Sequence, residues 1–335
     1  MSANVPLPAR LRANFRPSAR LSVWSLRLLF GAVLMTFSEI IMWQNPPAHT
    51  LPEWLARVVL YLCLAGVVLD LAVRGQAREI GGLVLLGGAY GLLASATVGR
   101  DIFNNLPSNL LVRGMGLQTG AGLYGLLAFV LIMQGRALDP RALLVAAAVG
   151  ALWGIWVKWY PVQLVTGWGP MSIEVATTWL IGALVVTGGL FLFVGPRFRV
   201  VKETSLLLEW WEAILVGVPL FVSLLSGLAD EKIIPFLPFV LVGGLLAIIM
   251  GALFVNRKPN EPSILANITF AAPNLQNFVF LAIAFVVAAT FASLLVTDGD
   301  SPFGVAVYWI IVAAASLWLP AASALTGIRA YRAED

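Results

Sequence analysis

Six charged side chains inside or beside long apolar stretches are the residues of this chain best suited to chemistry: Glu39, Arg113, Lys158, Glu174, Glu209 and Glu212. A charge at the centre of a bilayer costs about 2.5–3.5 kcal/mol, and much less near a helix end. Depth therefore decides which of them needs an explanation. Glu39 falls roughly one helical turn inside the end of the first apolar stretch, and Arg113 roughly one turn inside the start of the fourth. Lys158 and Glu174 stand where the fifth stretch ends and the sixth begins. Four groups of mixed sign at one level could line an outward-facing pocket for a small solute, with Glu39 and Arg113 expected as an ion pair. The competing expectation is that each reaches the headgroups separately, the basic ones by snorkelling.

Glu209 and Glu212, in LLLEWWEAIL, are three residues apart and would share one helix face near its inner end. Neighbouring carboxylates repel, so one of them holds a proton or a cation more readily than the other. They are expected as a proton- or cation-coupling pair, against the alternative that Arg27, Lys202 or interfacial water neutralises them. Asp70 stands four residues before Arg74 and is expected to pair with it across one turn.

The elements that must position these groups are ten apolar stretches: Val23–Trp43, Leu55–Val73, Ile80–Val98, Asn109–Met133, Ala142–Tyr160, Ile173–Val194, Leu206–Leu228, Phe236–Val255, Phe278–Val296 and Gly304–Leu325. A spanning helix needs about 20 such residues. The chain is 60% hydrophobic and only 11% charged, whereas a soluble domain carries roughly a quarter charged residues. Lipid must solvate much of it. Helices satisfy their own backbone in hydrocarbon, and none of the stretches alternates as the strands of a membrane β-barrel do. The expected fold is all-α, a polytopic transmembrane bundle of about ten spans. A tail (1–22) precedes a transmembrane domain (23–328), and a short tail (329–335) follows. The long connection 161–172 divides the domain into possible halves, 23–160 and 173–328. Five helices per half would suit an inverted repeat, but the charges of the first half have no matching set in the second.

Basic residues orient the bundle. Arg10, Arg12, Arg16, Arg20, Arg27, Arg74, Arg78, Arg136, Arg141, Arg197, Arg199, Lys202, Arg257, Lys258, Arg329 and Arg332 all fall on one side. Arg57, Arg100, Arg113, Lys158 and Lys232 make up the other. The richer side is expected to be cytoplasmic, with both termini there and the chain in an inner (plasma) membrane. The same pattern accounts for the net charge of +4, so no nucleic-acid partner is expected.

Cys63 and His49 are single residues of their kinds. An intrachain disulfide, a cysteine-based zinc or iron–sulfur site and a histidine-rich metal site are thereby excluded. No GxxxxGK[ST], HExxH, GxSxG or CxxC occurs, and no cofactor, metal or enzymatic activity is expected. The spacings Gly87–Gly91 and Gly116–Gly120 are of the small-xxx-small kind that lets helix backbones approach. Ten helices in 335 residues have the outline of the drug/metabolite transporter superfamily. The Trp-Gly stretch ALWGIWVKWYPVQL (151–164) is similar to helices of that group, but it closes the first half where theirs opens one, and the chain is not assigned to it. The expectation is a secondary transporter of a small solute, with membrane lipids around it. The alternative is a non-catalytic subunit or scaffold held by other membrane subunits.

Overall fold

The computed structural model describes residues 19–42, 46–103, 106–134, 138–159, 173–194, 201–230, 236–255, 257, 262–267, 274–295, 313, 316–326 and 328. Among them the fold is all-α. The helices are α1 (Ala19–Met35), α2 (Leu51–Arg74), α3 (Ile80–Ala94), α4 (Thr119–Met133), α5 (Pro140–Trp159), α6 (Ile173–Val194), α7 (Trp210–Asp230), α8 (Phe236–Val255) and α9 (Leu275–Leu295). A last helix, α10, occupies 316–326. Three helices are lengthened by wider π turns: Thr36–Ile41 extends α1, Ser95–Gly99 extends α3, and Leu110–Gln118 leads into α4. Eight helices are long and apolar enough to cross a membrane, and α8 and α10 pack beside them. The protein is an integral membrane helical bundle. The connection 161–172, the segment 301–312 and most of both tails lie outside the described residues.

The interior is built from α1 to α4. Val23, Leu29, Phe30, Leu34, Leu64, Leu69, Leu85, Leu86, Leu126 and Phe129 all point into it. The outer helices leave large apolar side chains uncovered: Val185 and Phe193 on α6, Phe221 and Val222 on α7, Val287 and Phe291 on α9. In water such a surface would drive aggregation. In lipid it costs nothing, because hydrocarbon is as good a neighbour as another leucine.

Without a hydrophobic drive between helices, close backbone approach matters most. A Cβ on Gly91 would lie 2.4 Å from the Gly114 carbonyl oxygen, and one on Gly87 would lie 2.8 Å from that of Thr119. The Gly87–Gly91 spacing thus does what its pattern implies, seating α3 against the start of α4. Gly120 faces open space, so the Gly116–Gly120 spacing makes no such contact at Gly120. A third spacing carries more: Cβ atoms on Gly150 and Gly154 would sit 2.3 and 2.1 Å from the Phe285 and Ala289 carbonyl oxygens of α9. Gly88 likewise makes room for Leu319 of α10.

Contacts between helix ends sort into two layers. At one end, Arg20 of α1 meets Glu209 before α7. There too, Asp70 of α2 accepts the Leu208 N–H at 2.8 Å, and Asn277 of α9 donates to the Leu131 carbonyl of α4 at 3.2 Å. At the other end, Arg57 of α2 meets Glu39, Trp153 of α5 donates to the Ile41 carbonyl at 2.9 Å, and Ser316 of α10 donates to the Leu111 carbonyl at 3.0 Å. The first layer is the one bearing Arg20, Arg27, Arg74 and Arg141.

Candidate functional site

The candidate site forms where α1 stops being a regular helix. A π turn accommodates one extra residue, which rotates the side chains that follow and is frequent at functional sites. Here it brings Ser38 and Glu39 inward, where both are buried. Residues of α2 and α3 close over them: Arg57 and Tyr61 are one turn apart on α2, and Tyr90 comes from α3. Glu39 Oε1 accepts hydrogen bonds from Arg57 Nη1 at 2.5 Å and from the Tyr61 hydroxyl at 2.7 Å. Ser38 Oγ and the Tyr90 hydroxyl are bonded to each other at 2.5 Å.

A buried carboxylate is tolerable only when a cation and hydrogen-bond donors offset its desolvation. Arg57 and Tyr61 do this for one oxygen. The other, Oε2, is buried with no hydrogen-bond partner among the described residues, as is Oε1 of Glu212, and His49 Nε2 is 3.9 Å away. Unsatisfied buried acceptors are rare and call for a reason. This one can receive a donor from a ligand, or a proton. Arg57 and His49 are each 15% exposed, so the cluster reaches the outside through those two side chains. Arg57 spends one Nη on Glu39 and has further N–H donors for a ligand.

Beside this cluster an apolar cavity of about 560 Å³ runs between α1, α2 and α6, within the roughly 300–1,000 Å³ of small-molecule sites. Met35, Ile40, Trp54, Tyr61, Trp179 and Val186 line it. Tyr61 is the shared wall, apolar ring toward the cavity and hydroxyl on Glu39. Trp54 stacks on Trp179 with ring centroids 5.7 Å apart and meets His49 edge-on at 5.5 Å.

The structure departs from the expected pairing. Glu39 is held by Arg57, not Arg113. The short α1–α2 connection folds two antiparallel helix ends together, which places Arg57 across from the π turn. Arg113 lies half-buried in the Leu110–Gln118 segment, Glu174 is exposed at the start of α6, and Lys158 is in the last turn of α5, its side chain outside the described set. The geometry thus brings together Glu39, Arg57, Tyr61 and His49, and no ion pair among the described residues joins Glu174 to them. Arg57 reads as an outer-loop charge and His49 as a plain polar residue in the sequence. The available signal was the Arg57–Tyr61 spacing of four, which puts both on one helix face.

Glu209 and Glu212 lie at the opposite end, on one side of the start of α7, where both meet Arg20. Glu209 precedes α7 as its N-cap: its carbonyl accepts the Ala213 N–H at 2.8 Å. Glu212, at the third helical position, accepts the Glu209 N–H at 3.2 Å, the backward half of a capping box. The fully buried Glu212 carboxylate is also held by the fully buried Arg27, at 3.1 and 3.2 Å, and by Arg20 at 3.3 Å. Arg27 stacks over Trp24 with its guanidinium 4.6 Å from the ring centre and donates to the Leu206 carbonyl at 3.3 Å. Glu209 pairs with Arg20 and accepts the Trp211 indole N–H at 2.7 Å. The expected Asp70–Arg74 pair forms at 2.7 Å, and Asp70 in addition holds the Leu208 backbone.

No family model matches this chain, and no curated protein or solved structure does either.

Proposed function

We propose that this integral membrane protein is a secondary transporter of a small solute, recognised at the Glu39–Arg57–Tyr61–His49 cluster on the extracytoplasmic side. The observation that carries this reading is Glu39 Oε2, buried at a π turn with no hydrogen bond among the described residues and with only the part-exposed His49 imidazole, 3.9 Å away, beside it. An acceptor left open at such cost is best explained by a donor that comes and goes. The adjoining apolar cavity favours a solute with an apolar body and a hydrogen-bonding head. Arg113, Lys158 and Glu174 belong to the same end of the bundle and would guide charged solutes toward it. The excess of basic residues at the other end supports an orientation with both termini in the cytoplasm, in an inner membrane. Glu209 and Glu212 would couple transport to a proton or cation only if their arginine partners release them.

The test is transport by purified protein in proteoliposomes, read as currents on a solid-supported membrane after jumps of amino acids, sugars, organic cations and inorganic cations. One class should give a current that Glu39→Gln lowers at least tenfold. Silence across all classes, or a current indifferent to Glu39→Gln, rejects the reading. The competing reading is a non-catalytic subunit of a larger complex. In its favour is the exposure of α5, α6, α7 and α9, whose spans are only 22–28% buried within the chain. Stoichiometric co-purification of a second membrane protein, together with silent liposomes, would support it.

A further inference from the structure

A second cavity, of about 410 Å³, lies on the opposite side of α1, between α4, α5, α6 and α9. The two are separated where α6 crosses α1, at the contact between the Thr36 and Thr187 hydroxyls, 3.1 Å apart. Phe37, Tyr124, Leu184 and Leu281 form its long apolar walls, which reach from the level of the π turn to the basic end of the bundle. At that end its lining changes character: Gln134, just past α4, and Arg141, in the first turn of α5, complete it.

Arg141 is exposed, and its guanidinium makes no ion pair with any described residue. The nearby acid, Asp139, is turned onto the Arg141 backbone N–H at 2.9 Å. The cavity therefore pairs a hydrocarbon-sized slot with a planar, five-donor cation that has no ion pair among the described residues, at the basic end of the bundle. That combination matches an amphiphile whose head is an anionic phosphate.

We propose that this cavity binds one acidic phospholipid from the leaflet facing the basic end of the bundle. Its phosphate rests on Arg141, with Gln134 as a second donor, and one acyl chain rises along α4 and α5 toward Phe37. The chain gains little by leaving bulk lipid, because both surroundings are apolar. Selectivity therefore comes from the headgroup charge, and a single basic residue at an anionic surface gives about a fivefold preference. The site is independent of the solute reading above.

The experiment is competitive retention. Delipidated protein in mild detergent is mixed with equal amounts of phosphatidylglycerol and phosphatidylcholine of identical chains, and native mass spectrometry counts what stays bound. The wild type should retain one phosphatidylglycerol with about a fivefold preference. Arg141→Gln should bring the two lipids to parity. Ala146→Phe, which fills the slot, should remove both, whereas Leu144→Phe on the exposed face of α5 should keep the wild-type pattern. Millimolar inorganic phosphate should leave the bound lipid in place. Equal retention by the wild type, an undiminished preference in Arg141→Gln, or displacement by inorganic phosphate overturns the proposal. If Ala146→Phe does not fold, the Arg141→Gln comparison alone still decides it.

Discussion

Glu39 and Glu212 are both carboxylates buried near the end of a membrane-spanning bundle, and both face an arginine, yet they are finished differently. Glu212 has a cation within 3.3 Å of each oxygen, a backbone N–H on Oε2, and a partner arginine stacked on Trp24 and bonded to a carbonyl, although its Oε1, like Glu39 Oε2, makes no hydrogen bond among the described residues. Glu39 has one arginine and one tyrosine on a single oxygen, while the second oxygen has nothing within hydrogen-bond range. The arginine at Glu212 is fully buried, and the one at Glu39 is partly open to the outside. Glu212 is thus built as a clamp that fixes the start of α7 beneath α1. Glu39 keeps one oxygen whose facing group is the His49 imidazole, 3.9 Å away. Both acids have one oxygen without a hydrogen bond, and what separates them is the counter-charge there: Arg27 Nη1 at 3.1 Å for Glu212, and only the His49 imidazole at 3.9 Å for Glu39.

The sharpest way to break this contrast is at Arg27. Arg27→Leu leaves the buried Glu212 charge with only the part-exposed Arg20 as a cation and should cost about 3 kcal/mol, measured by reversible unfolding in bicelles or steric trapping. The double variant Arg27→Leu/Glu212→Leu should recover most of that loss, since replacing both partners leaves no uncompensated charge. If the double variant is no better than the single one, the clamp is not an ion pair in its energetics. Next comes Glu39→Gln, which is expected to cost about 1–3 kcal/mol, less than Arg27→Leu, while removing the solute response. A Glu39 variant as unstable as Arg27→Leu would make the two acids equivalent.

Tyr61→Phe removes one donor from Glu39 Oε1 and should lower stability by about 1 kcal/mol. Its effect on solute response should exceed that cost, because Tyr61 also walls the cavity. The smallest effect is expected at Glu209 and Arg74. Each side chain is nearly half exposed, so Glu209→Gln and Arg74→Ala should each fall within about 1 kcal/mol of wild type. A larger loss from Glu209→Gln, or a change in the pH dependence of transport, would move Glu209 from the clamp into the coupling machinery.

How much of this was legible in the sequence varies by residue. The spans were, because a helix in hydrocarbon must announce itself with about 20 apolar residues. Small shifts arose at their borders: α2 begins at Leu51 rather than Leu55, and α7 at Trp210 rather than Leu206. The α7 border mattered, since it makes Glu209 the cap of α7 and Glu212 the residue that caps it in return, both still facing Arg20. LLLEWWEAIL contains an acid at the third helical position, which is a capping signal once the start is placed correctly. The Asp70–Arg74 pair was readable because its geometry is local. The Glu39–Arg57 pair was not, because its members sit on different helices. The Gly150–Gly154 contact was open to the same small-xxx-small reading as Gly87–Gly91, but its partner on α9 was not.

By itself, the sequence determined the solvent of this protein, the number and rough limits of its apolar helices, and the depth of each charge, because hydropathy and loop charge depend only on position along the chain. Only the tertiary structure decided which acid meets which base, since that depends on the direction each helix face points. The π turn at Thr36–Ile41 alters that direction without leaving a mark in the pattern of apolar residues. The Glu39 oxygen without a hydrogen bond and the Arg141 guanidinium without an ion pair, among the described residues, belong to this second kind of fact: each is defined by which neighbours three-dimensional packing supplies.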